Sequence, residues 1–216
     1  TAPPTDSPVI QAAFCAFLES VGLWTGSRSG SRRTDPLPPS SGSPMIQHTH
    51  AQTAQTADVL HGVRQHVLWL LDGGNAHLEF DAAVDGLPVK LRGAKPINVP
   101  YSPWRLVEHM RLSQWDILEF CRNPRHVSPE WPEGYWPQSD APPDERAWDA
   151  SLREFRDDLA AMRALIKNPQ ADLLAPLPHG EGQTLLREAL LLADHNAYHL
   201  GQLVTVRRAL GAWPEE

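Results

Sequence analysis

Hydrophobic side chains recur at intervals of three and four residues in four segments of this chain, a spacing that places them on one face of an α-helix. The four segments span residues 57–71, 102–122, 144–167 and 184–210. A shorter helical piece is predicted at about residues 75–84. The longest alternation of apolar and polar positions is the five-residue run Leu-Pro-Val-Lys-Leu at residues 87–91, which is too short for a core strand. The pattern therefore predicts an all-α fold.

Local signals mark the ends of these helices. Ser102 is a good N-cap residue, and Pro103 follows at the first helical position, where the missing N–H of proline costs no hydrogen bond. Thr184 is suited to cap the fourth helix, which ends before Gly211. The connections at residues 86–101 and 123–143 are long and punctuated by prolines. Together these features predict a four-helix bundle with long proline-rich inter-helix loops.

The fourth helix carries two seams, of which the second is the more apolar. One passes through His195 and His199, and the other is formed by Leu186, Leu190, Ala193, Ala197, Leu200 and Val204. Because the helix is hydrophobic around most of its circumference, we expect it to be central in the bundle.

The N-terminal part of the chain differs in composition from the rest. Residues 26–44 are rich in Gly, Ser and Pro, a composition that buries too little apolar surface to offset chain entropy. We expect a disordered tail or linker at residues 1–55 and the folded domain at residues 56–216. Met45 opens directly onto the segment that looks folded, and whether residues 1–44 belong to the native protein stays open.

Composition narrows the class of function. The chain has 19 Lys and Arg against 26 Asp and Glu, a net charge of -7, which argues against a nucleic-acid footprint. No stretch approaches the roughly 18 to 20 apolar residues that span a bilayer. The two cysteines, Cys15 and Cys121, offer neither a disulfide framework nor a thiolate cluster. Residues 9–18 lack the flanking signals of a secretory peptide, so a cytoplasmic protein is expected. The net negative charge favours small-molecule substrates over nucleic acid.

The run Asp-His-Asn-Ala-Tyr-His at residues 194–199 raises the question of a metal site. His195 and His199 are four residues apart on one helix, so both imidazoles can reach one metal ion. A single such pair also arises by chance, and two histidines with ordinary hydrogen-bond partners remain the alternative. Asn196 stands where a zinc metalloprotease needs its glutamate base, which excludes that class. The paired Glu-x-x-His motifs of a di-iron bundle do not occur either.

His109, on the second predicted helix, is the candidate third ligand. Three histidines with open positions for water and substrate are the pattern of a catalytic zinc site rather than a structural one. The chain has seven other histidines, which compete for the role in weaker settings: His48, His50, His61, His66, His77, His126 and His179.

Three segments carry a resemblance to a known family, and together they extend over about residues 56–213. The chain is similar to the DinB-like (damage-inducible) superfamily of metal-binding four-helix bundles in the segments SPWRLVEHM, YWP and DHNAYHLGQLVTVRRALG. The resemblance implies a divalent metal ion, usually zinc or nickel, held by His109, His195 and His199. It also implies a homodimer and thiol-dependent transferase or isomerase chemistry with a low-molecular-weight thiol as cosubstrate.

Four further residues are candidates for supporting roles around the three histidines. Asp194 and Asp116 could orient the second ring nitrogen of a ligand, although Asp194 can equally be a solvated helix residue. Asn196 and Gln202 are candidates for substrate contacts.

The loop aromatics allow two interpretations. Trp131, Tyr135 and Trp136 either cover the metal or anchor the proline-rich loop to the bundle.

The sequence leaves three functional hypotheses. The first is a metal-dependent thiol S-transferase. The second is a non-catalytic dimeric metal-binding bundle with a structural or stress-associated role, and the third is a hydrolase that uses metal-bound hydroxide. Accessible open coordination favours an enzyme, whereas a closed fourth ligand favours the structural role.

Overall fold

The computed structural model describes residues 49–214 as a bundle of helices. In chain order the helices are α1 (Thr49–Asp72), α2 (Phe80–Val84), α3 (Pro103–Arg122), α4 (Glu145–Lys167) and α5 (Leu185–Ala209). Two single 3₁₀ turns lie in the loops, at Val89–Leu91 and Glu133–Tyr135. The described part of the chain contains no strand, only an isolated bridge between Pro176 and Thr184. The predicted all-α class is confirmed.

The four long helices form a bundle in which α1 and α3 each pack against both α4 and α5. In that arrangement α1 and α3 occupy opposite corners. The short α2 packs against α5.

Side-chain N-caps are present at three of the long helices, and two of them, Ser102 and Thr184, are the predicted ones. The side-chain oxygens of Ser102, Asp144 and Thr184 accept hydrogen bonds from the backbone N–H three residues later, at 3.2, 2.8 and 3.1 Å. Each bond satisfies a donor that the first turn of a helix cannot pair internally. These caps explain why the starts of α3, α4 and α5 agree with the sequence pattern.

The first two helices differ from their predicted bounds. Helix α1 begins at Thr49 rather than near residue 57, because residues 49–56 contain neither Gly nor Pro to stop a helix. It therefore crosses the boundary expected after residue 55, and the expected tail before Thr49 lies outside the described residues.

Helix α2 begins at Phe80 rather than near residue 75. Gly73 and Gly74 both adopt positive φ after α1, and the Asn75 side-chain amide donates to the Trp69 carbonyl at 2.8 Å. Asn75 is thus used to end α1 instead of beginning the next helix.

Two apolar clusters fill the bundle, one at each end. The first contains Trp104, Leu106, Phe155 and Leu203, and the second contains Ile117, Met162, Leu185 and Leu192, each with further members. Since α3, α4 and α5 each contribute to both, the clusters follow one another along the bundle axis.

Buried polar side chains lie between these clusters and define a polar layer. On α3 they are His109, Ser113, Gln114 and Asp116, and on α5 they are Asn196 and His199. Within this layer the Asn196 amide donates to the Gln114 side-chain oxygen at 3.0 Å, and Gln114 donates to the Phe155 carbonyl at 2.6 Å. The layer supplies the polar surroundings of the candidate site.

Helix α5 is less enclosed than its composition suggests. The buried positions are mainly those in line with Leu185, Leu192, His199 and Val206. Along the other seam Leu200 is buried, but Leu190 is 43% exposed and the remaining members are only partly buried. Helix α5 contacts each of the other four helices, as expected for a central helix, but part of its second seam lies at the surface, to which apolar side chains also contribute.

Candidate metal centre

Three imidazoles meet in the polar layer, one from α3 and two from α5. The Nε2 atom of His109 lies 3.1 Å from that of His199 and 3.2 Å from that of His195. One ring nitrogen from each residue falls within 4.8 Å of the other two, which makes the three a candidate ligand set for one ion. The one-turn spacing on α5 brings His195 and His199 together, and the packing of α3 on α5 adds His109.

The surroundings keep these imidazoles neutral. His109 and His199 are buried and His195 is partly buried. Burial, reinforced by the neighbouring His199, lowers the pKa of His109 to about 3. Burial also lowers the pKa of His199 to about 4 and, together with the other two rings, holds the pKa of His195 well below its ordinary value. Neutral imidazole is the form that binds a metal.

Two of the rings are fixed by acceptors at their other nitrogen. His109 donates from Nδ1 to the backbone carbonyl of Tyr135 at 2.8 Å, and His199 donates from Nδ1 to the Gln202 side-chain oxygen at 2.7 Å. A ring that carries its proton on Nδ1 has a lone pair on Nε2. The short separation between the Nε2 atoms of His109 and His199 is therefore a contact between two lone pairs, not a hydrogen bond.

A divalent cation fits this donor set. Zinc binds imidazole nitrogen at about 2.0 to 2.1 Å, so two nitrogens of one tetrahedral site lie about 3.3 Å apart. The observed 3.1 and 3.2 Å separations are close to that value. Three neutral nitrogen ligands also suit nickel. A cation would turn the opposed lone pairs from a repulsive contact into a bonding one.

The supporting residues predicted from sequence have other partners than expected. Asp194 is exposed, so it does not orient a ligand ring from the buried side. Asp116 is buried, but its two oxygens accept from His126 Nε2 and from the Tyr135 hydroxyl, each at 2.7 Å. The groups that hold the second ring nitrogens are a carbonyl and an amide, not carboxylates. The amide is that of Gln202, which the sequence predicts as a substrate contact.

His195 and Asn196, which are adjacent on α5, do not use all of their hydrogen-bonding groups. The Nδ1 atom of His195 and the side-chain oxygen of Asn196 are both buried without a hydrogen-bond partner. The Asn196 amide nitrogen is committed to Gln114. Asn196, which the sequence predicts as a substrate contact, thus lies partly in the interior of the bundle.

An aromatic stack forms one wall of the site. The Trp136 ring lies parallel to the His109 ring with centroids 3.8 Å apart, and the Tyr101 ring stacks on Trp136 at 4.9 Å. Tyr198 meets the His199 ring edge-on at 5.0 Å. Of the two interpretations of the loop aromatics, Trp136 covers the site, while Tyr135 anchors the loop through Asp116. The other loop histidines, His126 and His179, bind Asp116 and the Phe120 carbonyl and stay outside the cluster.

Sequence reasoning missed the parts of the site that act through the backbone or through packing. The Tyr135 carbonyl that orients His109 has no residue-type signature, since every residue carries a carbonyl. Tyr101 and Gln114 were missed as well, although a polar Gln on the apolar face of a helix is a usable signal of a buried hydrogen-bond network.

Within the described residues no helix is long and apolar enough to cross a membrane. No curated protein and no solved structure matches the chain significantly. The family model of the DinB superfamily matches residues 75–203, more than half of the chain, and this segment contains all three clustered histidines. The chain belongs to the DinB superfamily.

Proposed function

We propose that this protein is a divalent-metal-dependent thiol S-transferase, with His109, His195 and His199 holding zinc or nickel. The observation that carries the proposal is the convergence of three neutral imidazoles from two helices, two of them with their Nε2 lone pairs opposed. The transfer chemistry is what the family resemblance implies, with a low-molecular-weight thiol as cosubstrate and a small electrophile as acceptor.

The residues of the chain suit an external sulfur nucleophile. A bound divalent ion supplies a Lewis acid that favours the thiolate form of a thiol ligand. Cys121 is partly buried near the end of α3, and burial raises the pKa of its thiol far above the ordinary value, so it stays protonated. Cys15 lies outside the described residues. Cys121 is thus not suited as the nucleophile, and in this proposal the reacting sulfur comes from a bound thiol, while Tyr135 and Gln202 hold the ligand rings in place.

Metal analysis of the purified full chain tests the metal site first. We expect about one zinc or nickel per chain in the unaltered protein and loss of stoichiometric metal in His109→Ala and His199→Ala. His179→Ala is the matched control, since its ring contacts the Phe120 carbonyl and not the cluster. Stoichiometric metal in His109→Ala would show that the ligand set is wrong.

Thiol consumption tests the transferase step. The metal-loaded chain is incubated with a small thiol and a halonitroaromatic electrophile, and loss of thiol is compared with that in His199→Ala. Faster consumption by the loaded chain supports the transferase. Full metal occupancy without any acceleration contradicts it and leaves the non-catalytic metal-binding bundle as the function.

We also propose that the protein is a homodimer. Large apolar side chains are exposed on both α1 and α5, namely Trp69 at 55%, Leu70 at 42% and Leu190 at 43%. Exposed apolar side chains concentrated on packed helices favour burial against a second chain. Sedimentation of the full chain at micromolar concentration tests this, and a monomer at all concentrations contradicts it.

A further inference from the structure

Arg105 lies one helical turn before the metal ligand His109 and therefore on the same face of α3. Its guanidinium carbon is 5.6 Å from the centroid of the Trp136 ring, the same ring that stacks on His109 at 3.8 Å. The charge thus borders the aromatic wall of the site. The Arg105 side chain remains 27% exposed, so a ligand can still reach it.

The protein neutralises this guanidinium only weakly. Arg105 has a single carboxylate partner among the described contacts, Asp140, at 3.5 Å. Charge-assisted hydrogen bonds are usually about 2.7 to 2.9 Å long. Asp140 is held more closely by Lys95, at 2.6 Å. The Nε atom of Arg105 is buried without a hydrogen-bond partner. The guanidinium is therefore short of acceptors.

The charge of Arg105 also acts on the site itself. It lowers the pKa of Tyr101 against the larger, opposite effect of burial, and it contributes to the low pKa of His109. The groups that line the site on this side are neutral imidazoles and aromatic rings. In a chain with a net charge of -7, the exposed part of Arg105 is a local positive charge beside the site, which favours an anionic ligand.

We propose that Arg105 binds the carboxylate of the thiol substrate, so that the site selects thiols that carry a carboxylate over neutral thiols. This inference rests on the proposed function, because the sulfur of the same molecule faces the three histidines. Arg105 and His109 are four residues apart, a rise of about 6 Å along α3, which is comparable to the length of a short mercapto acid. The planar fork of arginine also matches a carboxylate in a bidentate geometry.

Binding of two probe thiols to the nickel-loaded full chain tests the proposal. The probes are 3-mercaptopropionate and 2-mercaptoethanol, followed by their sulfur-to-nickel charge-transfer absorption rather than by turnover. We expect the unaltered protein to bind 3-mercaptopropionate more tightly than 2-mercaptoethanol. Arg105→Gln should weaken 3-mercaptopropionate about tenfold, as expected for a lost hydrogen bond to a charged group, and leave 2-mercaptoethanol within twofold. Arg105→Lys, which keeps the charge without the fork, should fall between.

Two further variants separate recognition from structure. Arg111→Gln is the matched control, since Arg111 lies on the same helix but binds Glu108 and Glu154, and it should change neither affinity. Asp140→Asn removes the competing carboxylate and should leave 3-mercaptopropionate binding unchanged or tighter. The substitution keeps the backbone carbonyl of residue 140, which accepts a hydrogen bond from the Ser102 hydroxyl.

The possible failures are distinguishable. Equal weakening of both thiols in Arg105→Gln overturns the inference, because it shows that Arg105 supports the site rather than the carboxylate. The absence of a preference for 3-mercaptopropionate in the unaltered protein also overturns it, while binding of 2-mercaptoethanol keeps the proposed function standing. If the unaltered protein holds neither nickel nor zinc in stoichiometric amount, the metal site fails and this inference fails with it.

Discussion

The Nε2 atoms of His109 and His199 face each other at 3.1 Å, although each neutral ring donates its single N–H from Nδ1 to another acceptor. This relationship distinguishes the cluster from an ordinary histidine hydrogen bond, in which one nitrogen would donate to the other. Opposed lone pairs in a buried layer are destabilising unless a proton or a metal ion lies between them. Since burial disfavours the proton, the geometry favours the metal ion.

The metal-free protein should lose stability as the pH falls below about 6.5. The folded-state pKa values of His109 and His199 are lowered to about 3 and about 4, so the unfolded chain binds more protons in this window. Each ring should lower the free energy of unfolding by about 1 kcal/mol between pH 6 and pH 5, and the loss should level off near pH 4 for His199 and near pH 3 for His109. Urea unfolding of the chelator-treated chain at several pH values measures this. His199→Gln should flatten the slope, whereas an unchanged slope would contradict the assignment.

Tyr135→Phe should weaken zinc binding about tenfold, within the range for groups that orient a metal ligand. The substitution removes the hydroxyl that donates to Asp116 at 2.7 Å, and this bond holds the loop whose carbonyl accepts from His109. Competition with a chromophoric chelator gives the zinc affinity, and urea unfolding of the metal-free protein gives the stability.

Asp116→Asn combined with Tyr135→Phe tests whether the two residues act together. Because both changes disturb one contact, their effects on zinc affinity should not add. Glu188→Gln is the control, since this buried carboxylate pairs with Arg187 and should leave zinc affinity unchanged. A loss of stability in Tyr135→Phe without a loss of zinc affinity would show that the network is purely structural.

Gln202 should tune the metal affinity through the His199 ring. Gln202→Ala removes the acceptor at 2.7 Å from Nδ1 and should weaken zinc binding about tenfold. Gln202→Glu supplies a carboxylate acceptor instead, which increases the basicity of the ring, and should bind zinc at least as tightly as the unaltered protein. The same chelator competition measures both, and equal weakening in the two variants would count against an orienting role.

Arg207→Ala should lower the free energy of unfolding by about 3 kcal/mol, because it leaves one buried and two partly buried carbonyls without their donor. The buried guanidinium donates to the carbonyls of Ala83, Asp85 and Ala212 and so joins α2 and the C-terminal turn to α5. Arg208→Ala, at an exposed position, should change the free energy of unfolding by no more than about 0.5 kcal/mol. Urea unfolding compares the two, and similar losses would contradict the proposed tie.

The sequence predicted the helices best where their ends carry a chemical signal. Ser102 and Thr184 cap their helices as expected, and Asp144 caps α4 in the same way, since capping depends on residues adjacent in sequence. The start of α1 at Thr49 carries no such signal, and the use of Asn75 to end α1 depends on the fold of the turn. The outer seam of α5, with Leu190 exposed, shows that apolar periodicity does not identify which face is buried.

The cluster of three histidines was predictable only in part from local spacing. The pair on α5 follows from the helical repeat, whereas the approach of His109 depends on how α3 packs against α5, and there the family resemblance supplied what periodicity could not. Asp116 and Asp194 were chosen for their charge, yet the ring nitrogens are held by the Tyr135 carbonyl and the Gln202 amide. A backbone carbonyl cannot be recognised from residue identity, so this part of the site depends on how the loop folds over α3.

The polar layer also affects how the bundle unfolds. Among the described residues, Leu159 packs against both apolar clusters, so apolar contact between them is thinnest where the histidines lie. We therefore expect the two halves of the bundle to be less tightly coupled without a cation than with one, and hydrogen exchange of the two forms should show this as more separate opening of each half in the metal-free protein. A metal ion that joins α3 to α5 at this level would make the molecule unfold as one cooperative unit.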